Sequence, residues 1–245
     1  MSASADWIFI RGLTRGQGHW ADFLTMFRER HPGARLECLD LPGNGERFRE
    51  TSLWRIAGIV EDLRGRSRLI AEGRKPRFFA HSLGAMVAVE WAVRYPQDFE
   101  RLYLMNTSAR NLTGPHRRFN FRNLPKYARL LRARDAYDHE RVTLSVIANN
   151  AERIRHVLPV LSAYTAAHPV RWSNALRQLW AASRMVFPER APVPTEIIAA
   201  AGDRLVSVEN SRILARRWGL TPRIHPTAGH DLAVDDPAWL LEQLF

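Results

Sequence analysis

"FFAHSLGAMVAVEW", Phe78 to Trp91, joins two apolar runs of different character through His81-Ser82-Leu83-Gly84. The residues before Ser82 read as the end of a buried strand, and those after it repeat at helical spacing. A turn that only redirected the chain would call for glycine or asparagine, not a hydroxyl between small residues. Ala80 and Gly84, two residues either side of Ser82, let strand and helix approach closely. Such a tight strand-to-helix turn exposes the hydroxyl and points a helix N-terminus at developing negative charge.

The same alternation runs outward in both directions. "WIFIRGL" (7–13), "ARLECLDLPGNG" (34–45), "RFFA" (77–80), "RLYLMNTS" (101–108), "TEIIAAAGD" (195–203) and "TPRIHPTAGH" (221–230) read as strands running into turns. Between them lie helical patterns: "HWADFLTMFRERHPG", "TSLWRIAGIVEDLRG" with a serine or threonine start, "LGAMVAVEWAVRYP" and "VENSRILARRWG". "DDPAWLLEQLF" closes the chain as a last helix. Six strands alternating with helices predict an α/β fold, a mostly parallel six-stranded sheet flanked by helices.

One segment breaks the alternation. Ala109–Arg190 holds four stretches of helical spacing and no convincing strand, so it reads as a helical cap inserted between the fourth and fifth strands. The core is then residues 1–108 and 191–245. The insertion carries fifteen arginines and lysines against five carboxylates, so it holds ten units of the chain's net charge of +11. On "FRNLPKYARLLRAR", Arg122, Lys126 and Arg129 share one helical face and Leu124, Tyr127 and Leu131 another. That basic face is either a solvated surface or a docking face for an acidic partner. No nucleic-acid motif accompanies the charge.

Composition narrows the function classes. No apolar run approaches a membrane span, and the N-terminus has no basic residue before its short apolar run, so a cytoplasmic protein is expected. Cys38 is the only cysteine, which excludes an intramolecular disulfide. No histidine or carboxylate pair has metal-ligand spacing, so neither metal nor cofactor is expected.

In a parallel sheet, functional groups collect at the carboxyl ends of strands. Ser82 follows the third strand, Asp203 the fifth and His230 the sixth. A neutral serine needs a base, and the base needs an acid to fix its tautomer. Asp231, Asp235 and Asp236 rival Asp203 for the acid. Of nine histidines, His230 alone sits in a Gly-His context after the last strand; His81 reads as a packing or binding residue, and His19, His156 and His168 as structural or solvated. "RGLTRG" after the first strand offers the Leu13 N–H, which with that of Leu83 would make an oxyanion hole. Trp20, Trp172 and Trp180 read first as packing residues, with Trp20 kept as a substrate-contact candidate. Asp40 reads as a stabiliser of its loop.

With these pieces in order, the chain resembles the α/β-hydrolase family over essentially its whole length. The matching motifs are "IRGL", "LDLPGNG", "AHSLG", "GDRLVS" and "AGHD". Ala80 stands where the family's elbow has glycine, Arg11 where it has histidine, and the family's first antiparallel hairpin is lacking. The resemblance implies a serine esterase with Ser82 as nucleophile, His230 as base and Asp203 as its orienting acid. Within the family it extends to the esterases that demethylate a pimeloyl group on acyl-carrier protein in biotin synthesis. That implies a small acyl ester substrate and docking of an acidic carrier on the basic cap. The same three residues would also serve a thioesterase, a carbon–carbon bond hydrolase or a cofactor-free haloperoxidase. A ligand receptor or scaffold with a vestigial triad is the non-enzymatic alternative.

Overall fold

The structure, a computed structural model, describes residues 5–244. In chain order the elements are β1 (Trp7–Ile10), α1 (Phe23–Arg30), β2 (Leu36–Leu39), α2 (Ile56–Arg66), α3 (Arg68–Ala71), β3 (Arg77–His81), α4 (Leu83–Arg94) and β4 (Arg101–Met105). There follow α5 (Pro115–Arg118), α6 (Leu124–Leu130), α7 (Ala136–Ile147), α8 (Ala151–Ala167) and α9 (Trp172–Ser183). The chain then returns through β5 (Thr195–Ala200), α10 (Glu209–Trp218), β6 (Arg223–His225), α11 (Leu232–Asp235) and α12 (Pro237–Glu242).

The six strands form one sheet in the order β2-β1-β3-β4-β5-β6, and every pairing among the described residues is parallel. Helices cover both faces, so the central strands are apolar over most of their length, with charged residues at strand starts and on the edge strands β2 and β6. Strand periodicity then divides the core in two. Ile8, Ile10, Phe78, Ala80, Leu102 and Leu104 pack with α2 and α4 on one face. Trp7, Phe9, Phe79, Tyr103 and Met105 pack with α1 and α12 on the other. The second face is aromatic: Phe9 meets Phe27 edge-on with ring centroids 4.9 Å apart, and Trp20 is fully buried beside it.

The chain steps outward from β1 to β2, then crosses back to β3 on β1's other side. Connections leave β1 and β3 in opposite directions, so a crevice opens at their carboxyl ends. Ile10 pairs with Ala80 there, which places the Arg11–Arg15 loop beside Ser82. Of the five helices between β4 and β5, α7 and α8 share a small core of Leu144, Val146, Ile147, Val157, Leu158 and Leu161, closed by Val234 of α11.

Two local expectations fail. The second helix starts at Ile56 rather than at Thr51 or Ser52. Ser52 is buried instead, its hydroxyl donating to the Pro42 carbonyl. Leu124 and Leu131 are exposed rather than packed, and so are Trp172 and Trp180.

Candidate active site

Ser82 links β3 to α4 as a single residue with φ 56° and ψ −114°. Such a backbone costs a non-glycine residue about 1–3 kcal/mol and persists only where its surroundings hold it. Here the Ser82 N–H donates to the Met105 carbonyl at 2.9 Å, and the Thr107 hydroxyl donates to the Ser82 carbonyl at 2.9 Å. The first turn of α4 lies directly on the end of β1. A Cβ on Gly84 would sit 2.6 Å from the Ile10 carbonyl oxygen and 2.5 Å from that of Arg11. One on Gly12 would sit 2.9 Å from the Ser82 Cβ. Both glycines are demanded by close approach.

Asp203 lies beyond the end of β5. Its Oδ1 accepts from the backbone N–H groups of Leu205 and Val206 at 2.8 and 2.9 Å. Its Oδ2 is 2.7 Å from His230 Nδ1, and both side chains are almost wholly buried. This contact puts the imidazole proton on Nδ1 and leaves Nε2 with a free lone pair, as a general base requires.

The rival carboxylates are engaged elsewhere. Asp231 forms a two-pronged ion pair with Arg11, at 3.2 Å (Nη1–Oδ1) and 2.5 Å (Nη2–Oδ2). Burial alone would raise its pKa, but the Arg11 charge and hydrogen bonds outweigh that and hold the carboxyl well below its usual range. Asp235 accepts from the backbone N–H groups of Asn149, Asn150 and Gly229. Asp236 caps α12 through the Trp239 N–H.

Two residues absent from the sequence reading of the site brace His230. Its carbonyl accepts from His81 Nε2 at 2.9 Å and from Asn106 Nδ2 at 2.8 Å. Asn106, with φ 47°, also accepts the Ala200 N–H, so it joins the end of β5 to the His230 loop. His81 is fully buried, and burial, with His230 and Arg11 nearby, holds it neutral far below the ordinary histidine range. Only its adjacency to Ser82 in sequence could have signalled this.

The loop after β1 is gripped by the inserted helices. The Arg15 guanidinium pairs with Glu140 of α7 at 2.7 Å, with both side chains buried. The Thr165 hydroxyl of α8 donates to the same carboxylate at 3.1 Å and lies 3.1 Å from His19 Nε2. His19 Nδ1 accepts the Gly16 N–H at 2.9 Å, so its proton is on Nε2, facing Thr165. Burial keeps His19 neutral as well, with the Arg15 and Arg11 charges acting in the same direction. Asp40 accepts the N–H groups of Gln17 and Glu46, and burial pushes its pKa up to about 6.

Leu13 is half-buried on this loop, and Leu83 is the first residue of α4, directly after Ser82. The structure therefore brings Ser82, Leu83 and the Leu13 loop to one crevice, and Asp203 to His230. Trp20 is not at a ligand surface: it is fully buried in the core, with the Arg11 guanidinium 4.5 Å from its ring centroid. Arg122 and Arg129 are exposed, but Lys126 Nζ donates to the Ser145 carbonyl at 2.8 Å. The three cations thus do not make one solvated face. Among the described residues no cluster of histidine, cysteine or carboxylate side chains could hold a metal ion. Burial pushes the Cys38 thiol up to about 12, so it offers no thiolate nucleophile near neutral pH. A cavity of about 330 Å³ lined by Arg110–Pro115 and Arg118 touches none of the residues above.

A family profile described as the alpha/beta hydrolase family matches residues 7–243. The chain belongs to that family. This α/β hydrolase is an enzyme of the serine-hydrolase type. Among solved structures it is similar to an esterase from Thermogutta terrifontis at 17% identity and a TM-score of 0.69, covering 98% of this chain and 88% of that one. A bacterial membrane phospholipase A is similar at 19% identity and a TM-score of 0.74, covering 100% and 78%. The RedJ thioesterase of prodiginine biosynthesis in Streptomyces coelicolor is similar at 18% identity and a TM-score of 0.65, covering 99% and 86%. At these identities the likeness is one of fold. No curated protein matches the chain. No described helix of this α/β hydrolase is long and apolar enough to cross a membrane.

Proposed function

We propose that this enzyme hydrolyses an acyl ester or thioester through an acyl-serine intermediate on Ser82. The observation that carries the reading is the buried Asp203–His230 contact at 2.7 Å, at the same edge of the sheet as a serine held in a strained strand-to-helix turn. In the first step Ser82 Oγ attacks the acyl carbon while His230 Nε2 takes its proton. The acyl oxygen, now negative, is held by the N–H groups of Leu83 and Leu13. Collapse of the adduct expels an alcohol or thiol, which leaves with the proton from His230. Water then gives one proton to His230 as it attacks the acyl carbon. Collapse of this second adduct breaks the acyl–Oγ bond, releases the acid and returns the His230 proton to Ser82 Oγ. Asp203 stays ionised throughout and stabilises the imidazolium formed in each half-reaction. Residues 109–190 would act as a cap over this edge.

The methyl ester of a carrier-bound pimeloyl group is one substrate within this reading. Its support is the strongly basic insertion, to which an acidic carrier is electrostatically complementary. A thioester is supported equally, because an esterase, a phospholipase and a thioesterase all share the fold. Cofactor-free halide oxidation has support of the same kind, since a non-heme bromoperoxidase from Mycobacterium tuberculosis shares the fold at 18% identity and a TM-score of 0.72. Carbon–carbon hydrolysis uses the same three groups without an observation of its own here.

A fluorophosphonate should label Ser82, and Ser82→Ala should lose about 10³–10⁶ in kcat on p-nitrophenyl esters. Ester turnover that survives Ser82→Ala removes the proposal. Labelling of Ser82 without turnover of any ester or thioester supports a receptor with a residual triad instead.

A further inference from the structure

Helix α9 is inside out. Asn174, Ala175, Gln178 and Ala181 face the protein, while Trp172, Leu176, Leu179 and Trp180 are 53%, 61%, 40% and 50% exposed. The hydrophobic effect alone would turn the helix the other way. Its orientation is therefore set by what its two buried amides hold.

Asn174 serves the loop after β2. It accepts the Ser52 N–H at 2.9 Å and donates to the Glu50 carbonyl at 2.9 Å. Gln178, with no exposed surface, reaches both loops. Its Oε1 accepts the Thr14 N–H at 3.0 Å, and its Nε2 donates to Asn44 Oδ1 at 2.7 Å and Ser52 Oγ at 2.8 Å. Asn44 completes the grip, its Nδ2 lying 3.2 Å from the Arg15 carbonyl and 3.4 Å from that of Gly12. The Gly12–Arg15 turn is thus held at one N–H and two carbonyls by a pair of amides bonded to each other.

That turn needs holding. Thr14 has φ 55°, a left-handed backbone that a β-branched residue disfavours. The peptide that Gln178 pins is Leu13–Thr14, one residue beyond Gly12, whose Cα lies against Ser82. Without the amide, relaxation at Thr14 would rotate this peptide and, through Leu13, shift the preceding Gly12–Leu13 peptide, which carries the Leu13 N–H.

We infer that Gln178 is a positioning residue: it holds the turn so that the Leu13 N–H meets the acyl oxygen bound at Ser82. The inference rests on the acyl-serine reading above. It makes the inserted helix a working part of the oxyanion loop rather than only a cover.

Three variants test it, each assayed as kcat per active site titrated with fluorophosphonate. Gln178→Asn keeps an amide but retracts it by one methylene, and Gln178→Met removes the acceptor at similar volume. Gln178→Glu keeps an oxygen for Thr14 and, when protonated, a donor for Asn44. Asn and Met should each lower kcat per titrated site about 10- to 100-fold with KM changed less than about 3-fold, and Glu should recover most of it. Wild-type kcat per titrated site in Gln178→Asn overturns the inference. So does a parallel fall of kcat, KM and Tm in all three, which marks a structural amide only. If wild-type protein neither labels at Ser82 nor turns over an ester, the acyl-serine reading itself fails and takes the inference with it.

Discussion

Arg11 and Asp231 are 220 residues apart and almost wholly buried, at 2% and 0% side-chain exposure. They fasten the end of β1 to the residue that follows His230. Two buried charges are costly to desolvate, and their attraction compensates only while both are present. Removing one partner leaves the other uncompensated, at a cost of about 3–5 kcal/mol. Against a total stability of about 5–15 kcal/mol, that approaches global unfolding. Asp231→Asn should fall in this range. Arg11→Met should cost somewhat more, because the guanidinium also stacks on Trp20 and such a contact is worth about 0.5–2 kcal/mol.

The double variant Arg11→Met/Asp231→Leu should recover most of the loss, since an apolar pair of similar volume removes the desolvation penalty together with the attraction. Urea unfolding followed by far-UV circular dichroism gives the three midpoints, compared at constant slope. A double variant that equals the sum of the single losses would refute the reasoning. Single losses below about 1 kcal/mol would do so too, because they would mean that water reaches the pair.

Two further predictions concern titrating groups. Asp203→Asn should cost up to about 10⁴ in kcat with KM little changed, because it spoils the His230 tautomer; near-normal turnover on p-nitrophenyl esters would move the role to another carboxylate. His19 and His81 are held neutral far below 6.5, so on acidification through 6.5 the unfolded chain gains protons that the folded chain refuses. Stability should therefore fall below pH 6.5, by up to about 1.4 kcal/mol per pH unit for each histidine. Asp40 acts oppositely between its unfolded value of about 4 and its folded value of about 6, where the folded state holds the extra proton. His81→Gln keeps a donor for the His230 carbonyl and should flatten the pH–stability slope by about one proton; an unchanged slope in urea titrations at pH 5–7 would show that His81 does not contribute.

The sheet was legible because strands covered on both faces read as unbroken apolar runs, "WIFI", "FFA" and "IIAA", that cannot be mistaken for amphipathic helices. Strand ends then located Ser82, Asp203 and His230, since a parallel sheet brings those ends to one edge. The Arg11–Asp231 pair, the Asn106 bridge and the Gln178 clamp were not legible. Each joins residues far apart in the chain, and none leaves a local pattern. Trp20 shows the same limit from the other side: its surroundings, not its type, put it in the core rather than at a ligand.

Helix α9 marks the boundary most clearly. Periodicity announced a helix with an apolar stripe, and the ordinary inference was that the tryptophans pack inward. Turning α9 over would bury four half-exposed apolar side chains, a gain of roughly 3–6 kcal/mol if each recovers half the value of full burial. It would also strip partners from the Thr14 N–H, the Ser52 N–H and the Asn44 side-chain Oδ1. Left unpaired, three such groups cost about 3–9 kcal/mol. The two sums are of the same size, so hydrophobic pattern alone could not have settled which face points inward. What tips the balance is the demand of two loops elsewhere in the chain, and one of them is the loop that lies against Ser82.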